Sequence, residues 1–210
     1  MAGRVVIVDY GAGNLRSVAR AVARAGYEAT VSNRAEDVEV ADALIVPGVG
    51  AAADTMRNLR ERGLVEPIRR YSDRGRPFLG VCMGLQALLS VSEEGGEHEC
   101  LGIVPGRVVR LPEGLKVPHM GWNEVRQKAL HPIFQGVPDG SYFYFVHSYY
   151  PRPEDPSVVI GETEYGVTFP SVVARDSLVA TQFHPEKSGD AGLRIYANFL
   201  SSALGGAHRA

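Results

Sequence analysis

Short runs of Val, Ile and Leu recur along the first half of the chain, and apolar residues then return every three or four positions behind each run. Residues 4–9, 43–46 and 77–81 are too short for helices and read as buried strands. After the first of them, Leu15, Val18, Ala19 and Val22 share one face of a helix expected to run from a cap at Asn14 to about Ala25. Helices are also predicted over 52–62, 65–74 and 83–89. Alternation of this kind predicts an α/β fold, a mostly parallel open sheet flanked by helices.

The pattern changes in the second half. Strand signals dominate at 103–110, 141–147, 157–163, 172–174 and 178–182, separated by turns such as Pro138-Asp139-Gly140 and Arg175-Asp176-Ser177. They predict additional antiparallel strands at an edge of the sheet, followed by a closing helix over 191–202. No repeat or linker divides the chain, and 210 residues suit one core, so a single domain over 1–210 is expected.

Composition narrows the function classes. Lys and Arg number 22 against 24 Asp and Glu, leaving a net charge of −2 and no case for a nucleic-acid or anionic-membrane partner. No segment approaches the ~20 apolar residues of a membrane span, and the opening residues lack a signal-peptide core. Cys82 and Cys100 make no disulfide framework, so a cytoplasmic protein is expected. His98, Cys100, His119 and His131 have no zinc-like spacing, and neither metal nor cofactor is expected. The run from Gly11 to Arg16 begins like a dinucleotide fingerprint, but Arg16 stands where the third glycine belongs.

Three segments carry candidate chemistry. Gly80, Cys82 and Gly84 have the spacing of a nucleophile elbow, a strained strand-to-helix turn that points one side chain out of the sheet. A helix N-terminus there would favour a thiolate. His184, Pro185 and Glu186 follow a predicted strand. Pro185 biases His184 toward an extended backbone, which would set Glu186 beside the ring to fix its tautomer. Pro47-Gly48-Val49-Gly50 follows another strand, and its amides are oxyanion candidates together with Met83, the residue after the nucleophile. Each segment alone has a plainer explanation: an inert core cysteine, a solvated turn, a Gly-rich loop. A nucleophile, a base and an orienter at strand ends in one chain favour catalysis.

With these segments in hand, the sequence resembles the class I glutamine amidotransferases, of flavodoxin-like fold, through Pro47–Gly50, Gly80-Val-Cys-Met-Gly-Leu-Gln86 and Phe183-His-Pro-Glu186. Within that family, Val8–Asn14, Val117–Asn123, Tyr144–Tyr149 and Lys187 are similar to the branch formed by the glutaminase subunits of imidazole glycerol phosphate synthases. The resemblance implies a Cys82–His184–Glu186 triad that hydrolyses L-glutamine to glutamate and ammonia, with Val49, Gly50 and Met83 at the oxyanion. It implies that Gln86 holds the substrate, Glu94 faces its amino group, and Ser148 and Tyr149 its carboxylate. It further implies a heterodimer with a cyclase subunit, faced by Trp122, Asn123, Tyr144 and Lys187, to which ammonia is channelled for histidine biosynthesis. One departure stands out. The family commonly carries Phe-Glu-Glu where this chain has Ser90-Val91-Ser92, next to Glu94 but away from the triad. Competing readings are an amidotransferase serving another synthase, such as that of pyridoxal phosphate, and a catalytically silent regulatory protein on the same fold.

Overall fold

The computed structural model describes residues 3–205. Its first half runs β1 (Val5–Val8), α1 (Leu15–Arg24), β2 (Ala29–Ser32), α2 (Ala35–Val40), β3 (Ala43–Val46), α3 (Ala52–Glu61), α4 (Val65–Asp73), β4 (Phe78–Val81) and α5 (Met83–Gln86). The second half holds β5 (Val91–Ser92), β6 (His98–Glu99), β7 (Gly106–Arg110), β8 (His119–Gln127), β9 (Ser141–His147), β10 (Tyr149–Pro153), β11 (Val159–Glu164), β12 (Thr168–Arg175) and β13 (Leu178–Thr181). Helix α6 (Gly189–Leu204) follows.

Nine strands form one sheet in the order β2-β1-β3-β4-β13-β12-β11-β8-β9. The pairings from β2 to β13 are parallel. Those beyond β13 are antiparallel, as the strand-rich second half predicts. Every residue of β1, β3, β4 and β13 is buried, because helices cover both faces of the parallel half. Side-chain alternation sorts these strands into two cores. Val5, Ile7, Ile45, Leu79 and Val179 pack with Val22 of α1 and Ile195 of α6. Val6, Val8, Leu44, Val46 and Phe78 pack with Met56 of α3, Ile68 of α4 and Leu85 of α5. Of a second sheet of four strands, β10-β7-β5-β6, only β7 has a counterpart among the predicted strands.

Several predicted elements are corrected. Helix α5 stops at Gln86, after a single turn, with the Leu88 and Leu89 amides bonding three residues back instead of four. Asn14 stands at the start of α1, but its carbonyl, not its side chain, receives the Ser17 and Val18 amides. Strand β7 begins at Gly106, not at 103, and the 3-10 turn Pro156–Val158 delays β11 to Val159. The longest strand, β8, was not predicted at all; it follows a cis Val117–Pro118 peptide bond.

For function, what matters is one edge. Strands β3, β4 and β13 are neighbours pointing the same way, so the loops leaving their carboxyl ends emerge side by side. Open α/β sheets gather their ligands there.

Candidate active site

The turn after β4 is built around Cys82. Its φ of 53° and ψ of −106° lie outside the ordinary regions for a residue with a side chain, a strain of about 1–3 kcal/mol that only surrounding structure sustains. That structure is visible. The Cys82 amide donates to the Thr181 carbonyl at 2.7 Å, and its own carbonyl receives the Leu85 and Gln86 amides at 2.9 and 3.1 Å. A Cβ on Gly84 would stand 1.9 Å from the Val46 carbonyl oxygen, and one on Gly80 would meet the Gly84 backbone and the Ala180 methyl at 3.0–3.1 Å. Both flanking glycines are therefore spacing requirements. The expected helix-dipole support for a thiolate is weak, since α5 is a single turn.

The loop after β13 supplies the partner groups. His184 Nδ1 and Glu186 Oε1 are 2.8 Å apart, with both side chains only 2% exposed. The pairing is as expected; the route to it is not. Pro185, Glu186 and Lys187 form a 3-10 turn, and that turn, not an extended strand, brings the carboxylate under the ring. The other ring nitrogen, Nε2, is buried and has no hydrogen-bond partner among the described residues. Burial alone would depress the imidazolium. The Cys82 sulfur and then Glu186 outweigh it and raise His184 to about 10. Tyr196 of α6 closes the far side: burial and then the adjacent Glu186 carboxylate hold its phenol protonated well above the usual range.

Cys82 and His184 open into one cavity of about 320 Å³, at the small end of ligand pockets (about 300–1,000 Å³). Val49, Gly50, Met83, Gln86, Glu94, Ser148, Tyr149 and Lys187 line it too, so every predicted triad, oxyanion and substrate residue except Glu186 borders this space, with Glu186 directly behind the ring. Gly48, just before the oxyanion candidates, has no room for a side chain: a Cβ would be 2.4 Å from the Tyr10 hydroxyl and 2.6 Å from Met83 Cβ. Glu94 is anchored by its Oε2, which accepts the Ala52 amide at the start of α3 at 2.7 Å. In the Ser90-Val91-Ser92 departure, Ser92 Oγ accepts the Glu94 amide at 3.3 Å. Gln182 carried no signal in the sequence beyond its place before Phe183. It donates from Nε2 to Cys82 Sγ at 3.7 Å and accepts from Gln86 at 3.0 Å.

Beside the cavity lies an apolar surface. Met120 and Trp122 of β8 and Tyr142 of β9 are 62%, 55% and 57% exposed, and Tyr144, opposite Trp122, packs edge-on against it at 6.2 Å. Lys187 Nζ sits 5.8 Å above the Tyr144 ring, joining this surface to the cavity wall. Asn123 differs from the other three partner-face candidates. Neighbours on a strand point to opposite faces, and its side chain turns inward to His119 and to the Glu164 carbonyl.

A strained cysteine, an imidazole raised by its neighbours and a buried carboxylate stand together at the carboxyl ends of parallel strands, the groups that thiol-dependent amide cleavage requires. The chain belongs to the class I glutamine amidotransferases: the model of the family described as "Glutamine amidotransferase class-I" matches residues 6–203. A solved structure described as a glutamine amidotransferase superposes with a TM-score of 0.74 at 26% identity, covering 94% of this chain and 98% of that one. More specific relatives are two proteins named imidazole glycerol phosphate synthase subunit HisH. The one from Dehalococcoides mccartyi is 52% identical over 96% of this chain and 98% of its own length. The one from Syntrophotalea carbinolica is 54% identical over 93% and 98%. Among the described residues, no group of three or more His, Cys, Asp or Glu is placed to hold a metal, and no helix is long and apolar enough to cross a membrane.

Proposed function

We propose that this chain is the glutaminase subunit of an imidazole glycerol phosphate synthase, a single cytoplasmic domain that hydrolyses glutamine and passes ammonia to a cyclase subunit. The observation that carries the reading is Cys82 and His184 sharing one cavity, with Glu186 behind the ring. Cys82 Sγ, its proton held by His184, attacks the side-chain amide carbon of glutamine. The oxyanion faces the Met83 amide and the Val49–Gly50 backbone. His184 gives its proton to the departing nitrogen, the C–N bond breaks, and ammonia leaves a thioester on Cys82. Water then adds, losing a proton to His184; the C–S bond breaks, glutamate departs and the thiol is restored. Gln86, Glu94, Ser148 and Tyr149 hold the amino-acid end of the substrate.

The exposed Met120, Trp122 and Tyr142 patch, continuous with the cavity through Tyr144 and Lys187, supports a docked partner. Ammonia that met bulk water would be protonated and lose its nucleophilicity, so a sealed junction serves the chemistry. The cyclase would combine that ammonia with a phosphoribulosyl-formimino carboxamide nucleotide, giving imidazole glycerol phosphate and aminoimidazole carboxamide ribotide.

The test compares nitrogen donors in the complex with the cyclase. Cys82→Ala should abolish product formation from glutamine while leaving formation from ammonium salts intact. Loss with both donors, or glutamine turnover indifferent to saturating cyclase, would remove the subunit assignment.

A further inference from the structure

Two buried imidazoles remain unused by this chemistry. His119 of β8 and His147 of β9 face each other across the antiparallel pair, with His119 Nδ1 3.0 Å from His147 Nε2. Such a contact bonds only if one ring donates and the other accepts, and the groups at the two ends settle which. His147 Nδ1 lies 2.9 Å from the Tyr149 carbonyl oxygen, which can only accept. That nitrogen therefore carries the hydrogen, and Nε2 of the neutral ring is the acceptor. His119 must donate from Nδ1, leaving its Nε2 to accept from Asn123 Nδ2 at 3.3 Å. The Asn123 amide is oriented independently, since its Oδ1 accepts the Glu124 amide at 2.8 Å and its Nδ2 donates to the Glu164 carbonyl at 2.9 Å.

Both rings must be neutral for this arrangement, because a second proton on His147 would set two N–H groups head to head. Burial pushes His119 down to about 4 and His147 to about 3. The geometry is stiffened by packing: His119 is stacked between Tyr165 at 4.0 Å and Phe145 at 5.0 Å. Past Tyr149 the bonding continues toward the sulfur. The same carbonyl receives Gln86 Nε2 at 2.7 Å, and the second hydrogen of that amide goes to Gln182 Oε1 at 3.0 Å. This turns the Gln182 amide nitrogen toward Cys82 Sγ.

We propose that His119 and His147, each held in one tautomer, are positioning residues that pin the substrate-binding segment of Ser148 and Tyr149 against β8 through Asn123 and so fix it relative to Cys82. The substrate half of this statement rests on the glutaminase reading; the tautomer half does not.

The tests keep the two halves apart. Ring nitrogen NMR of the full chain at about pH 5.5, where an ordinary histidine is mostly charged, should find both rings neutral and protonated on Nδ1. Nε2–H tautomers, or titration near the ordinary value, would overturn the proposal. In the complex with the cyclase, Cys82 is then labelled by a chloroketone analogue of glutamine and, separately, by iodoacetamide. His119→Phe keeps the stacking and removes both hydrogen bonds. It should slow chloroketone labelling and raise the glutamine KM roughly tenfold, with iodoacetamide labelling and kcat little changed. His119→Asn, which restores a donor toward His147, should recover part of the loss. Equal slowing with both reagents, no slowing, or no recovery in the Asn variant would reduce the pair to a packing role. A wild-type chain that never reacts with the chloroketone would instead sink the glutaminase reading, leaving the NMR result to judge the pair.

Discussion

Gly84 and Gly80 flank the same cysteine but tolerate change differently. An alanine at 84 drives its Cβ to 1.9 Å from backbone oxygen, which cannot swing away; at 80 the nearest atoms are 3.0–3.1 Å off. Gly84→Ala should cost about 3 kcal/mol or more, at or beyond the upper end of ordinary overpacking. Gly80→Ala should cost distinctly less. Denaturant unfolding of the two variants checks the order, and the reverse ranking would contradict the spacing explanation. His184 gives a residue-scale pH dependence. Its folded value near 10 exceeds the ordinary 6.5, so its contribution to stability is complete below about 6.5 and is lost as pH rises through about 10. Glu186→Gln weakens one of the groups raising it. The ring's NMR titration should then move to lower pH, and the alkaline fall in stability, which starts near 6.5 in both proteins, should be smaller and end at a lower pH. Turnover should drop less than in Cys82→Ala, because an orienter is only part of the triad's effect.

At the scale of elements, legibility followed hydrophobic pattern. β1, β3 and β4 are unbroken apolar runs buried on both faces, and the sequence displays them openly. β2, an edge strand with two exposed positions, offers no such run. Strand β8 was hidden for a more informative reason: its inward positions include His119, Gly121 and Asn123, while Met120 and Trp122 point outward. A strand whose apolar side faces solvent inverts the usual cue. Pro151 and Pro153 masked β10 in the same way, by suggesting a loop. The candidate site was more legible than the fold around it, because Cys82, His184 and Glu186 lie in short motifs with a chemical rationale. Gln182 and Tyr196 were not legible, since only folding brings them to the triad. The outward face of β8 yields its own prediction. Trp122→Ala removes exposed apolar surface, so thermal unfolding of the isolated chain should change little. Affinity for the cyclase, measured by titration calorimetry, should fall by about 2 kcal/mol if Trp122 anchors the junction; a melting temperature that drops sharply instead would make it a core residue.

For the whole molecule, the histidines pull stability in opposite directions. His119 and His147, held near 4 and 3, are proton-poor relative to the unfolded chain, so the stability they confer is present above about 6.5 and lost as pH falls toward those values. The expected acid-side slope is about 1.4 kcal/mol per pH unit for each ring. With His184 losing its share above 6.5, stability measured across pH should peak near neutrality, and His119→Phe should take one ring's share out of the acid-side slope. An unaltered slope would mean that the rings are not neutral in the fold. The cavity also has a mechanical side. Glu94 lies between β5 and β6 of the small sheet, yet its carboxylate is bonded to Ala52 on a helix of the large one, while Gln86 ties the large sheet's α5 to Tyr149 on β10 of the small. An amino acid lodged there would act as a stitch across the seam of the two sheets. Deuterium uptake around residue 94 and at the start of α3 should then slow together, or not at all.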